Sequence, residues 1–170
     1  MPKVHKPVCI IGAGSSGVAA AKALKQKGVA FECFEIGSDI GGMWRYENDN
    51  GQSSAYRSLH IDTSRGNLGY PDHPIPDRYP DFLSHAQVLE WLESYADRFD
   101  LKRHFRFRCK VESVTPETDG SWRVTISRTG TSWESTSLMT KDLMRAMSAP
   151  ESVPRSTKTL ASRIPCSGPR

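Results

Sequence analysis

The apolar run Val8-Cys9-Ile10-Ile11 leads into Gly12-Ala13-Gly14-Ser15-Ser16-Gly17 and then into the small-residue stretch Val18-Ala19-Ala20-Ala21. That order predicts a buried strand over 7–11, a tight glycine turn and a helix over 16–27. Lys25, Lys27 and Gly28 suit the helix C-terminus, where cations and a glycine are favourable. Val29 to Phe34 is a second apolar run, ending at Glu35. The pieces make a β-α-β unit with parallel strands and a right-handed crossover. Residues 37–82 have no sustained period and are rich in Gly, Pro, Asp, Ser and Tyr. A stretch this long without regular structure points to function or disorder. Its aromatics Trp44, Tyr46, Tyr56, Tyr70, Tyr79 and Phe82 favour an ordered, packed excursion. Ser84 reads as the N-cap of a helix over 85–99, with Val88, Trp91, Leu92, Tyr95 and Phe99 on one core-facing stripe. Phe105, Phe107, Cys109 and Val111 alternate, as do Trp122, Val124 and Ile126, with Asp119-Gly120 between the runs. These predict strands of a small antiparallel layer attached to the parallel sheet.

The expected fold class is therefore α/β, a Rossmann-like domain, and its glycines carry chemistry. Gly12 permits the sharp turn, Gly14 lets backbone approach a pyrophosphate, and Gly17 allows close packing of helix on strand. Free N–H groups at the helix start, with the positive end of its dipole, then face phosphates. Glu35 follows Gly17 by 18 residues, near the roughly 20-residue spacing of an acid that binds ribose hydroxyls. A carboxylate there would repel a 2′-phosphate, which argues against NADP at this first site. The plainer alternative is a solvated glutamate at a strand end. Six residues further on comes Gly41-Gly42-Met43-Trp44-Arg45-Tyr46. Its glycines can offer N–H groups to a pyrophosphate or a planar ring, and Met43 and Trp44 can supply walls. On these residues alone a plain NAD domain stays open.

Composition changes little. A chain of 170 residues with 37% hydrophobic content and four tryptophans can bury the core of one ordinary domain. The net charge is +4, of which the stretch from Trp133 carries +3 through six Lys/Arg and three Asp/Glu. No basic face interleaved with aromatics is present, so nucleic acid is not an expected partner. Cys9, Cys33, Cys109 and Cys166 have no C-x-x-C spacing. The first two sit in apolar strands, where a free thiol acts as a small hydrophobe. We expect a reducing, cytoplasmic setting, with no signal peptide, no membrane segment and no metal site.

The segments FEIGSDIGGMWRY, SAYRSLHIDTSRG, YPDHPIPDRYPDFLSHAQVLEWL and YADRFDLKRHFRFRCKVESV together resemble the N-terminal part of flavin-containing monooxygenases, from about Pro7 to about Val124. The resemblance moves the cofactor from NAD to FAD. It implies that Gly12, Gly14, Ser15, Ser16 and Gly17 form the pyrophosphate loop, that Glu35 binds ribose, and that Gly42, Met43 and Trp44 line the flavin. Val111 resembles the strand residue that meets adenine through its backbone. Asp62-Thr63 falls where many members carry Asn followed by Thr or Gly beside the flavin, which makes Asp62 the candidate catalytic position. An ionised aspartate accepts hydrogen bonds but cannot donate one; the plainer alternative is a loop residue that caps the following turn. In the family NADPH reduces the flavin, O₂ adds to it as a hydroperoxide, and a soft nitrogen or sulfur nucleophile takes one oxygen. Baeyer–Villiger oxidation of ketones is the neighbouring chemistry, and a non-catalytic FAD-binding fragment is the rival from another class. A purely regulatory NAD module would need the Gly41-to-Trp44 segment to be accidental.

The resemblance ends near Trp133, before the family's second glycine fingerprint for NADPH. We therefore expect an FAD-binding domain over 1–132 and an irregular or disordered tail over 133–170, with the chain inactive by itself. From Ser135 onward the sequence holds no aromatic residue and four prolines. No strand-like run is visible there, and only Leu138 to Met147 suggests a short helix. Such a composition offsets little of its ordering entropy. An alternative terminus or an out-of-frame reading accounts for a break that falls inside the fold.

Overall fold

The computed structural model describes residues 7–128 and the backbone of 131–139. Strand β1 (Val8–Ile11) and strand β2 (Phe31–Phe34) are parallel, in the register Val8↔Phe31 to Ile11↔Phe34. Helix α1 (Ser15–Gln26) connects them. Its Val18, Ala21 and Leu24 are buried at helical spacing. The helix stops at Lys27, and Gly28 takes φ 64° to turn the chain into β2. Lys25 also closes the far end of the next long helix, donating to the carbonyls of Phe99 and Asp100 at 2.8 Å each.

Residues 37–82 contain only a 3₁₀ turn at Gly42–Trp44 and the four-residue helix α2 (Arg65–Leu68). Not every aromatic here packs inward. Tyr79 joins the core and Trp44 and Tyr70 pack against it, whereas Tyr46, Tyr56 and Phe82 are exposed. Order in this segment comes from polar ties as much as from rings. Arg65 donates to the carbonyls of Pro76 and Tyr79. Arg45 donates to the Ile40 carbonyl and to Glu93 Oε1 at 2.7 Å. Tyr70 sits between Trp91 and Tyr95, with centroids 4.8 and 4.7 Å away, and its hydroxyl donates to the Ser15 carbonyl.

Helix α3 (His85–Arg98) begins at Ser84 in a reciprocal cap. The Ser84 N–H donates to Gln87 Oε1, and the Gln87 N–H donates to Ser84 Oγ. Such a box satisfies two backbone donors that the first turn leaves over. Val88, Trp91, Leu92 and Tyr95 are buried as the periodicity predicts, together with Ala96, while Phe99 is half-buried.

The alternating run 105–111 is not one strand. Strand β3 (Phe105–Arg106) joins the parallel sheet beside β2, giving the order β1-β2-β3. Strand β4 (Cys109–Pro116) belongs to a second, antiparallel sheet with strand β5 (Trp122–Arg128) and strand β6 (Thr131–Met139). The break is at Arg108, whose φ of 57° is incompatible with a continuous strand. Backbone bonds fix the corner, from Arg108 N–H to the Gly37 carbonyl and from Cys109 N–H to the Glu35 carbonyl, both 2.9 Å. Val124, Ile126 and Cys109 bury Phe34 between the two sheets. Asp119-Gly120 makes the expected turn, with Gly120 at φ 82°.

Strand β6 also crosses the boundary expected at 132/133 and places Leu138 and Met139 in a strand, not in a helix. It pairs with β5 along Trp122↔Met139 to Arg128↔Thr131. Its sequence TSWESTSLM is mostly polar, so no apolar run announces it; backbone pairing to an existing strand suffices. The remainder of the expected tail, 140–170, lies outside the described residues. Among the described residues no helix is long and apolar enough to cross a membrane.

Cys33 is buried and Cys9 half-buried on adjacent strands. Burial pushes both thiols up, Cys9 to about 11 with help from the Glu32 carboxylate. Cys33 rises to about 12, with smaller contributions from Cys9 and Glu32.

The glycine turn supplies a stability test. A Cβ on Gly17 would lie 2.0 Å from the Gly12 carbonyl oxygen and 3.5 Å from Ile10 Cγ2. The turn backbone must move to admit it. Overpacking of this kind costs about 1–3 kcal/mol, so Gly17→Ala should lower the unfolding free energy by that much, read as a lower denaturant midpoint at unchanged m-value. Unaltered stability in urea would show that the turn yields freely.

Candidate functional site

The carboxyl ends of β1 and β2 carry the site, as expected where a parallel sheet opens to ligands. Gly12 turns the chain out of β1 at φ 94°. Its N–H is held by the Phe34 carbonyl at 2.8 Å. Gly14 is the N-cap of α1 and no side chain caps the helix. The first bond of the helix runs from Val18 N–H to the Gly14 carbonyl, so the N–H groups ahead of it have no acceptor within the helix. They open into a cavity of about 220 Å³ lined by Ile11, Gly12, Gly14, Ser15, Ser16, Gly17, Gly41, Met43 and Trp44.

The two glycine segments, distant in sequence, touch here. Gly41 N–H donates to the Ala13 carbonyl at 2.9 Å. Gly42 has φ 54°, and a Cβ on it would come within 2.8 Å of Gly14 Cα. Only glycine at 42 lets the segments meet. Gly14 itself has an ordinary φ of −74°, and its Cβ would find only Gly42 Cα at 3.8 Å, a normal contact. The fold does not need glycine at 14. The empty space beside it fits a ligand that comes close to the backbone.

Glu35 is 4% exposed, so it is not a solvated strand end. Its Oε2 accepts from Ala13 N–H at 2.6 Å and its Oε1 from Gly37 N–H at 2.7 Å. The carboxylate therefore bridges the glycine turn and the exit of β2. Each oxygen keeps acceptor capacity for another donor. It faces a second cavity of about 320 Å³, shared by Ile11, Gly12, Phe34, Ile36, Asn50, Gln52, Cys109, Lys110 and Val111. Ile11 and Gly12 border both cavities, so the two lie side by side over the end of β1.

Of the residues expected at the site, the structure gathers Gly12, Gly14, Ser15, Ser16, Gly17, Met43 and Trp44 around the first cavity, with Gly42 directly behind Gly14. Glu35 and Val111 stand at the second. Asp62 and Thr63 are exposed and line neither cavity. Asn50, Gln52 and Lys110 line the second cavity without having been anticipated. The polar run Asn48-Asp49-Asn50 was their only trace in the sequence. Among the described residues no cluster of three or more His, Cys, Asp or Glu side chains could hold a metal ion.

Comparisons with known proteins bear on the family and the fold. The family described as FMO-like, flavin-binding monooxygenase-like, matches residues 5–139, further than the resemblance that faded near Trp133. Human flavin-containing monooxygenase 5 is 40% identical over 131 residues, 74% of this chain and 25% of that protein. Human flavin-containing monooxygenase 1 is 39% identical over 125 residues, 70% of this chain and 24% of its own. Among solved structures, the S-allyl-L-cysteine S-oxygenase of Allium sativum superposes with a TM-score of 0.70 at 30% identity, covering 79% of this chain and 35% of that one. An oxidized steroid monooxygenase bound to NADP superposes at 0.66 with 25% identity, covering 79% and 24%. The chain thus spans about a quarter of the length of the curated relatives it matches. With the family's match covering the β-α-β unit, the second glycine segment and the antiparallel sheet, the chain belongs to the flavin-binding monooxygenase-like family.

Proposed function

We propose that the chain binds FAD along the groove over β1 and serves as the flavin-binding part of an NADPH-dependent monooxygenase. The observation that carries this reading is the adjacency of the two cavities on either side of Ile11 and Gly12, with an uncapped helix start in one and the buried Glu35 carboxylate in the other. In this reading the pyrophosphate lies at the first turn of α1, where N–H groups and the helix dipole stabilise it. Glu35 accepts from the adenosine ribose, Val111 borders the adenine, and Met43 and Trp44 meet the flavin. Bound flavin would supply hydride acceptance and oxygen activation. The protein's own groups bind, orient and shield it. The S-oxygenase likeness at 30% identity exceeds that to the steroid monooxygenase at 25%. It supports a soft sulfur or nitrogen nucleophile as substrate over a ketone, with O₂ as co-substrate.

The contrast between the two loop glycines gives a direct test. Gly14→Ala places one methyl in ligand space at an ordinary 3.8 Å contact with the turn, so FAD affinity should fall at least about tenfold, or 1.4 kcal/mol, with the melting temperature of the ligand-free chain lowered only slightly. Flavin fluorescence quenching reads the affinity. Wild-type protein that prefers NAD to FAD in the same titration would defeat the reading.

Glu35→Gln separates the two duties of the carboxylate. The amide turns an NH₂ group toward one of the two backbone N–H donors and weakens the hold on ribose. Hydrogen bonds to charged groups contribute roughly 1.5–3 kcal/mol. FAD binding should therefore weaken at least about tenfold, and stability without ligand should fall as well. Full affinity in this variant would remove Glu35 from the binding set.

These 170 residues contain a single glycine fingerprint of the dinucleotide type. Well-oriented reactants gain effective molarities of about 10⁵ M or more, and NADPH without a site of its own forgoes that gain. The FAD-loaded chain should then oxidise NADPH no faster than free FAD, followed at 340 nm, and form no S-oxide from a thioether. Sustained product formation, detected by mass spectrometry, would show that the chain suffices for the whole reaction.

A further inference from the structure

One side chain that lines neither cavity holds a wall of each. Asn48 is 8% exposed, one of the few buried polar residues described. Its Nδ2 donates to the Gly42 carbonyl at 3.0 Å, behind the turn that carries Met43 and Trp44. Its Oδ1 accepts from Asn50 N–H at 3.1 Å. Asn50 in turn accepts from Gln52 N–H through its own Oδ1 at 2.8 Å, and both residues line the adenosine-side cavity. Behind Asn48 lies Gly37, where an added Cβ would stand 2.9 Å from Asn48 Oδ1 and 3.1 Å from Glu35 Oε1. Gly37 thus brings the amide and the Glu35 carboxylate close together, while donating its N–H to that carboxylate. Two left-handed residues, Glu47 at φ 53° and Gly51 at φ 66°, bend the chain around Asn48.

An amide is suited to this place because it has a donor and an acceptor on one short stem. Aspartate has no donor for the Gly42 carbonyl, and glutamine is a methylene too long.

We propose that Asn48 is a positioning residue for FAD. Its donor half sets the Gly42–Trp44 wall, and its acceptor half sets the Asn50–Gln52 wall. The two halves of the groove are thereby kept at a spacing that spans one dinucleotide. This rests on the FAD reading above.

The two hydrogen bonds can be removed separately. Asn48→Asp keeps the acceptor toward Asn50 N–H and presents an oxygen to the Gly42 carbonyl. FAD affinity should fall at least about tenfold, while affinity for 5′-AMP, which carries no flavin to meet Met43 and Trp44, stays within about twofold of wild type. Asn48→Ala should weaken both ligands. Isothermal titration with FAD and with 5′-AMP, beside a melting curve of each ligand-free variant, reads the split. In wild-type protein the Asn48 side-chain amide resonance should shift more on adding FAD than on adding 5′-AMP, a readout that does not depend on any variant folding. Equal loss of both ligands in Asn48→Asp, no loss of either, or an amide resonance indifferent to FAD would overturn the proposal. Wild-type protein that binds no FAD would instead sink the parent reading and take this one with it.

Discussion

Two backbone N–H groups converge on the Glu35 carboxylate, and much of the molecule is arranged around that convergence. Ala13 sits in the glycine turn after β1, and Gly37 sits where the chain leaves β2. The Glu35 backbone is tied on both sides as well, its N–H to the Arg106 carbonyl and its carbonyl to Cys109 N–H. One residue therefore joins β1's turn, β3's end and the start of the antiparallel sheet. A buried carboxylate without donors would be costly. With charge-assisted bonds to both oxygens it becomes a rigid corner, because such bonds are shorter and stronger than neutral ones.

The second constraint is close contact between backbones. Gly42 lies against Gly14, and Gly17 lies against the Gly12 carbonyl. A side chain at 42 or at 17 would force these segments apart. Polar anchors then hold the approaching segment from its outer side. Arg45 reaches the Ile40 carbonyl and Glu93 on α3, and Asn48 reaches Gly42. Pyrophosphate recognition at a helix start, as proposed for this cavity, needs N–H groups that are both close and immobile, and the packed backbone of Gly12 to Gly17 would supply them.

Most of this was legible in the sequence where short-range rules act. The strand, glycine turn and helix at 8–26 and the Ser84 cap with its buried stripe follow from local periodicity and capping. The corner at Arg108 was not legible, because Phe105, Phe107, Cys109 and Val111 keep period two through a residue that leaves the strand conformation. Nothing in an arginine announces φ 57°; two backbone bonds to Glu35 and Gly37 impose it. Strand β6 was missed for the opposite reason, since a polar segment pairs through its backbone and shows no apolar signal. At the site, the sequence named Gly12, Gly14, Ser15, Ser16, Gly17, Met43 and Trp44, which line the first cavity, and Glu35 and Val111, which line the second, whereas Asp62 and Thr63 line neither. Asn48, Asn50 and Gln52 were not named, because asparagine and glutamine in a loop read as solvated until the fold brings carbonyl partners to them.

The raised thiols of Cys9 and Cys33 have a bearing on durability. Oxidation of cysteine proceeds through the thiolate, and at neutral pH two groups at about 11 and about 12 are almost wholly protonated. Flavins that react with O₂ shed peroxide whenever the oxygen is not passed on. A strand pair beside such a centre would suffer first from its own by-product if its sulfurs were reactive. Here burial keeps both sulfurs in the thiol form, a protection that would matter if the groove holds an oxygen-reactive flavin as proposed.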